Sequence, residues 1–327
     1  MQCKTKLFYQ GKPEYANKSM DDPFLLSLAE GGFQVGTLAK CYFPGGHEVE
    51  AKDPVEALRL TSELMRQDNV VIYEAAFLHG NLFVRTDILV KRGKLLELIE
   101  VKAKSFDSEK DSFLDRKGMV SRGWSDYLHD VAFQKHVLNL ALPSYEIRAY
   151  LMLADKNARC PADGLNQMFR IKKDEWGRKR VNVSDSLKPE HLDPPILIRV
   201  TADECCDHIF QTGMDYCGED VSFAEVVKRI ARCYEKDEKI NTPPSSICKG
   251  CEFQATEVEL KLGLKSGLHE CWKERLDWLD EDFNEQTVLD IWDFKQKDTL
   301  IQNGLIKLKE VTQQDISPKE DKKPGLS

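Results

Sequence analysis

Three short apolar runs, Val70 to Phe77, Leu82 to Val90 and Leu95 to Val101, follow one another with only His79-Gly80-Asn81 and Lys91-Arg92-Gly93-Lys94 as connections. Each run has strand length, and each connection carries a glycine, so the segment predicts an antiparallel three-stranded meander. Trp124 to Leu142 then repeats its apolar residues at helical spacing, and Tyr145 to Leu153 reads as a strand returning to the sheet. Ahead of the meander, Pro23 to Tyr42 is helical in pattern, with Phe24, Leu25, Leu28, Phe33, Val35 and Leu38 as apolar members. A second helix is expected over Pro54 to Gln67, with Asp53 as N-cap, Pro54 at the first helical position and Ala57, Leu58, Leu60, Leu64 and Met65 on its buried side. Helices, three strands, a helix and a strand predict an α/β sandwich with a mixed central sheet flanked by helices.

The rest of the chain is read around that core. Asp155 to Pro195 is polar and turn-rich, an insertion with one expected strand near Met168 to Ile171. Helices are expected at Ala202 to Gln211, Phe223 to Lys236 and Glu285 to Lys295, with a linker at Asp237 to Ser246 and a cysteine-bearing segment up to about Trp272. Residues 276–312 read as a C-terminal extension, and 313–327, rich in Lys, Asp, Pro and Ser, as a disordered tail.

The 327 residues are 41% hydrophobic and 31% charged, sufficient for one elaborated domain with a real core. A net charge of −8 argues against general attraction to phosphate backbones, so any nucleic-acid contact must be local. Candidate basic stretches are Lys91 to Lys94, Lys102 to Lys104, and Arg170 to Arg180, the last with Lys172, Lys173, Arg178 and Lys179 beside Trp176. The N-terminus lacks a signal-peptide core and no stretch is apolar for long enough to span a bilayer, so a cytoplasmic protein without membrane partners is expected. Ten cysteines in such a compartment point to metal binding where they cluster.

Chemistry concentrates at the end of the third run. Glu100 and Lys102 are two residues apart on a strand and share a face with Leu98. Folding back about Gly93 pairs residues whose numbers sum to about 187, which brings Asp87 to Glu100. Two carboxylates beside a backbone carbonyl suit Mg²⁺ or Mn²⁺, which can polarise a phosphodiester and acidify a bound water, while a lysine steadies the charge that develops. An exposed polar face is the commoner reason for Glu-x-Lys on a strand, but here the neighbours are apolar enough for the sheet interior. Gln134 lies on the stripe of Val131 and Leu138 and faces the sheet, as a ligand-orienting or merely satisfied amide, and Glu74 on the first run is a further candidate.

Asp87, then Glu100-Val101-Lys102, then Gln134 on a helix resembles the motif order of RecB-type PD-(D/E)XK nucleases. Cys3-Lys4-Thr5-Lys6-Leu7-Phe8-Tyr9, Glu30 to Gly36, Tyr73-Glu74-Ala75-Ala76-Phe77 and Asp130 to Gln134 extend the likeness to a bacterial family in that superfamily, related to the four-cysteine CRISPR-adaptation exonucleases. The resemblance covers roughly residues 1 to 275 and implies a restriction-endonuclease-like fold in which Asp87, Glu100 and the Val101 carbonyl hold Mg²⁺ or Mn²⁺, with Lys102 and Gln134 completing the catalytic set. It implies action on DNA, at single strands or ends, as an exonuclease. Where relatives carry a metal-binding histidine on the first helix this chain has Gly36, and Glu30, Gln34 and Glu74 are the candidates to replace it.

Cys248-x-x-Cys251 followed by Cys271 supplies three thiolates at ligand spacing. The resemblance supplies Cys3 as the fourth and implies a [4Fe–4S] cluster joining the two ends of the chain; the same thiolates suit Zn²⁺. Cys41, Cys205, Cys206, Cys217 and Cys233 read as core residues or surface thiols. Two rivals to a DNA nuclease remain: an inactive nuclease-fold nucleic-acid-binding protein and a zinc-stabilised scaffold.

Overall fold

The computed structural model describes residues 3–20, 22–173 and 179–316. The chain forms two compact units, Met1–Asp22 with Lys236–Ser327, and Pro23–Glu235. The first helix, α1 (Lys6–Tyr9), belongs to the former.

In the larger unit, α2 (Pro23–Cys41) runs through Gly31 and Gly32 without interruption, and only Leu38 and Ala39 of it are buried. After the short strand β1 (His47–Glu48) comes α3 (Pro54–Leu64), capped as expected: Asp53 accepts from the Glu56 amide at 2.9 Å, and Pro54 takes the first position, where its missing N–H costs nothing. Strands β2 (Asn69–His79), β3 (Leu82–Arg92) and β4 (Leu95–Phe106) form the expected meander, and both of its turns carry a left-handed glycine, Gly80 and Gly93. Helix α4 (Ser125–Ala141) then crosses to β5 (Glu146–Asp155), which pairs parallel to β4.

The segment read as an insertion contributes to the core. Its hairpin of β6 (Phe169–Lys173) and β7 (Lys179–Val183) packs with Leu165 and Phe169 against one face of the sheet, beside Leu38 and Ala39. Trp176 and Arg178 lie outside the described residues. Strand β8 (Leu197–Thr201), unforeseen in the sequence, adds an antiparallel edge to β5. Helix α5 (Asp203–Gln211), the small hairpin β9 (Met214–Tyr216) and β10 (Glu219–Val221), and α6 (Phe223–Glu235) complete this unit. The central sheet has six strands in the order β1-β2-β3-β4-β5-β8 and is mixed. Ala57, Val131, Leu138, Cys206 and Phe223 fill its other face, so the sheet is covered on both sides.

In the smaller unit the two ends of the chain are laced together. The Thr5 hydroxyl donates to the Ile240 carbonyl at 2.6 Å and accepts from the Thr242 amide at 2.9 Å, and Tyr15 bridges to Lys265. Helices α7 (Glu257–Lys261), α8 (Gly267–Leu276), α9 (Lys297–Gln302) and α10 (Gln313–Ile316) follow, the last lying in the stretch expected to be disordered. Gly267 is obligatory here, because an added Cβ would lie 2.9 Å from Phe253 and 3.0 Å from Tyr9. The helix expected at Glu285 to Lys295 does not form. Thr287 and Asp290 bond backbone amides instead, Leu289 to Thr287 at 3.2 Å and Thr287 to Asp290 at 2.8 Å, and Asp293 is left-handed. Among the described residues no helix is long and apolar enough to cross a membrane.

Candidate functional site

Strands β3 and β4 pair in the register expected from the Gly93 turn, and their ladder ends at Ile88 opposite Ile99. One step further, Asp87 and Glu100 face each other. There the Asp87 carboxylate accepts the Val101 amide at 2.7 Å. Glu100, buried, receives the Lys102 ammonium at 2.6 Å and the Gln134 side-chain amide at 2.8 Å. Lys102 also donates to Asp130 at 2.9 Å. Sequence reasoning brought Asp87, Glu100, Lys102 and Gln134 together and missed Asp130, although it stands one turn before Gln134 on α4, where the i, i+4 spacing places both on one face.

Strand β2 contributes Glu74, which departs from ordinary strand geometry. Tyr73 pairs with Ile88 and Ala75 with Thr86, but Glu74 between them is left-handed, with φ 57°, at the position level with Asp87. Such a backbone costs on the order of 1–3 kcal/mol for a residue with a side chain. Lys40 and Arg85 each stand 3.8 Å from its carboxylate. Immediately after Lys102 the pairing of β4 with β5 shifts register, so a bulge adjoins the lysine.

Burial and the charge of Asp87 push the Glu100 carboxyl up to about 7. Burial also raises Asp87, against the pull of the Val101 amide and Lys102, and it raises Glu74, opposed by Lys40 and reinforced by Asp87. Burial works against the Lys102 ammonium, yet Glu100 and Asp130 hold it above its ordinary value. The carboxylates outnumber the lysine they share, which is the electrostatic signature of a place that gains from a further cation.

Asp87, Glu74, Arg85 and Val101 open onto a cleft of about 710 Å³ whose opposite walls are α2 and β7. Gly36 faces this cleft, and a Cβ built on it meets nothing within 4 Å. Of the three side chains considered in place of a histidine there, Glu30 pairs with Lys179 at 2.6 Å and Gln34 donates to the Phe169 carbonyl at 2.7 Å. In this arrangement each of the two side chains holds the hairpin. Glu74 remains beside Asp87.

Cys3, Cys248, Cys251 and Cys271 line one pocket of the smaller unit, together with Thr242 and Trp272. All four are free thiols. Burial raises Cys248, Cys251 and Cys271, Cys251 to about 11. The Tyr9 hydroxyl lies 3.2 Å from Cys271 Sγ, and the Ser245 amide donates to Cys248 Sγ at 3.5 Å. The Trp272 indole N–H lies near enough to Cys248 to favour its ionised form, yet makes no hydrogen bond of normal geometry. As the side chains are placed, no group of three or more His, Cys, Asp or Glu residues among those described could hold a metal ion. Cys205 and Cys206 are core residues, Cys217 and Cys160 are exposed, and Cys41 and Cys233 are half-buried.

No family model, curated protein or solved structure matches this chain.

The two places stand out within the molecule by a common property. Four buried side-chain polar atoms among the described residues have no hydrogen-bond partner: Arg85 Nε, Gln134 Oε1, Thr242 Oγ1 and Trp272 Nε1. Arg85 lines the cleft, Gln134 is bonded to Glu100, and Thr242 and Trp272 line the thiol pocket. Orphaned buried polar atoms are rare and costly, and among the described residues they fall at these two places. Thr242 and Trp272 carried no sequence signal, because neither sits in a ligand motif. In the other basic stretches Lys91 is buried on the Gln67 carbonyl and Lys104 lies over the Trp124 ring at 4.2 Å, while Arg92 and Lys94 are exposed.

Proposed function

We propose that the protein is a metal-dependent nuclease of the PD-(D/E)XK type, hydrolysing phosphodiester bonds of DNA, and that it carries a structural [4Fe–4S] cluster on Cys3, Cys248, Cys251 and Cys271. The observation that supports the nuclease reading best is the convergence of Asp87, Glu100, Lys102 and Gln134 where β3 and β4 part, with Asp87 opening onto the cleft. Asp87, Glu100 and the Val101 carbonyl would hold Mg²⁺ or Mn²⁺, with Glu74 next to them. The donor set is all oxygen, as these ions prefer. When bound, the ion supplies a polarised phosphodiester and a water acidic enough to attack it.

This chain's own residues do the remainder. Gln134 fixes one Glu100 oxygen and Lys102 holds the other. Lys102, kept charged by Asp130 as well as Glu100, is the group able to hold the attacking water or the charge growing on the phosphoryl oxygens. For the thiol pocket, the supporting observations are four cysteines on one apolar pocket and the unpartnered Thr242 hydroxyl and Trp272 indole, donors of the kind that cluster sulfurs accept.

The test is Mn²⁺-dependent digestion of labelled single- and double-stranded DNA, coupled to iron analysis and visible spectroscopy after anaerobic purification. Product that appears with Mn²⁺ and vanishes with chelator is expected, along with a brown protein containing iron. A protein that binds DNA without cutting it would instead support the inactive nuclease-fold reading, and colourless protein with stoichiometric zinc would replace the cluster.

A further inference from the structure

Glu100 must serve a metal ion with a carboxylate whose two oxygens already carry donors. Its Oε1 receives the Lys102 ammonium at 2.6 Å and its Oε2 the Gln134 amide at 2.8 Å. A metal cation on Glu100 would stand beside an ammonium drawn to the same carboxylate, and like charges that close repel strongly where water is scarce. Water is scarce there, since the Glu100 side chain is only 7% exposed. Lys102 and the ion therefore compete for one carboxylate.

The surroundings give the ammonium one other place. Lys102 also donates to Asp130 Oδ2 at 2.9 Å, and Asp130 has no other side-chain hydrogen bond or ion pair among the described residues. Side-chain exposure rises along the row, from 7% at Glu100 through 26% at Lys102 to 44% at Asp130. A lysine that gives up Glu100 and keeps Asp130 thus moves toward water and retains a counter-charge. Helix α4 fixes both arrangements, because Asp130 and Gln134 stand one turn apart, so the helix that holds Glu100 Oε2 also carries the second anchor. On the strand side, the regular pairing of β4 with β5 breaks immediately after Lys102.

We propose that Lys102 is a stand-in cation in the metal-free site, and that Asp130 is the positioning residue that keeps it when Mg²⁺ or Mn²⁺ takes Glu100. The inference rests on the metal-dependent nuclease reading of this site. Gln134 stays on Oε2, Oε1 is released, and Lys102 remains charged beside the carboxylates, paired with Asp130 alone. Asp130 then acts on metal binding only through Lys102, which separates this role from that of a negative charge that merely lies near the ion.

The experiment is Mn²⁺ titration of the full-length protein, freed of divalent ions, with the free ion read by its electron paramagnetic resonance signal, so that no cleavage is needed. Binding that disappears in Asp87→Ala is assigned to this site. Lys102→Met should tighten that binding by about tenfold, the worth of one charge-assisted hydrogen bond that no longer competes. Asp130→Asn should weaken it by roughly two- to fivefold, as suits a half-exposed ion pair, and Asp130→Glu should restore it. Added to Lys102→Met, Asp130→Asn should change nothing further, because the residue through which it acts is gone. Lys102→Gln, its fold checked by melting, repeats the comparison. Unchanged affinity in Lys102→Met or in Asp130→Asn, or equal weakening by Asp130→Asn with and without Lys102, overturns the exchange and leaves the metal site standing. A wild type with no Asp87-dependent Mn²⁺ site retires the nuclease reading and the exchange with it.

Discussion

Glu100 is the residue on which the proposed chemistry turns, because it touches both Lys102 and Gln134 and faces Asp87. Its carboxyl, pushed up to about 7 by burial, favours the neutral form in the metal-free fold. A carboxyl raised on folding contributes stability below its unfolded value and withdraws it as pH rises through the folded value. The metal-free protein should therefore lose stability between the ordinary carboxylate range and about pH 7, a loss smaller in Glu100→Gln, where only the raised Asp87 and Glu74 remain, as thermal melts in chelator at several pH values would reveal. Metal binding requires the ionised form, so Mn²⁺-dependent activity should climb over the same interval. Lys102→Ala should lower the turnover number far more than it weakens DNA binding, measured as separate kinetic and anisotropy constants, since its charge is needed chiefly while phosphorus is attacked. The pairing of Glu100 with Lys102 was legible because residues two apart on a strand share a face, and Asp87 because a glycine turn fixes the register. The left-handed backbone of Glu74 was not, since a glutamate gives no warning of a positive φ.

Elements place these residues by ending or bending where a regular sheet would continue. The β3–β4 ladder stops at Ile88 and Ile99, and Asp87 takes the Val101 amide that a strand carbonyl would otherwise accept. On the opposite wall, α2 presents Gly36 with open space above it. Gly36→His should fit without displacing a neighbour and add a nitrogen ligand, lowering the Mn²⁺ concentration needed for half-maximal cleavage; an unchanged metal dependence would count against the cleft as the metal's place. The long amphipathic elements α3, α4 and β2 to β5 were readable from periodicity, with boundaries within a few residues. Short elements were not. β8 is a five-residue edge strand of which only Leu197 is buried, and the basic β6–β7 hairpin reads as loop until its pairing is known. Residues 285–295 have helical apolar spacing, but Thr287, Asp290 and Asp293 offer the backbone competing partners.

At the scale of the molecule, the smaller unit is built from both ends of the chain around Tyr9, Tyr15 and Phe253, with the four thiols against it. A group bound by Cys3 and Cys248 closes a loop of most of the chain, which restricts the unfolded state by on the order of 5 kcal/mol in the loop-entropy account. Cys3→Ser should then lose iron, visible colour and thermal stability about as severely as Cys251→Ser, whereas Cys41→Ser and Cys217→Ser should change little. Full iron in Cys3→Ser would send the search for the fourth ligand elsewhere. That the ends meet was expected from motif likeness, but the lacing through Thr5, Thr242 and Lys265 was not, because backbone pairing between such distant segments leaves no pattern in either. The central claim concerns the larger unit, and one comparison reaches it most directly: release of nucleotides from end-labelled DNA in Mn²⁺ by wild type and by folded Asp87→Ala. Wild type should release them and Asp87→Ala should not, its melting behaviour unchanged; equal release by both would contradict the assignment of this site.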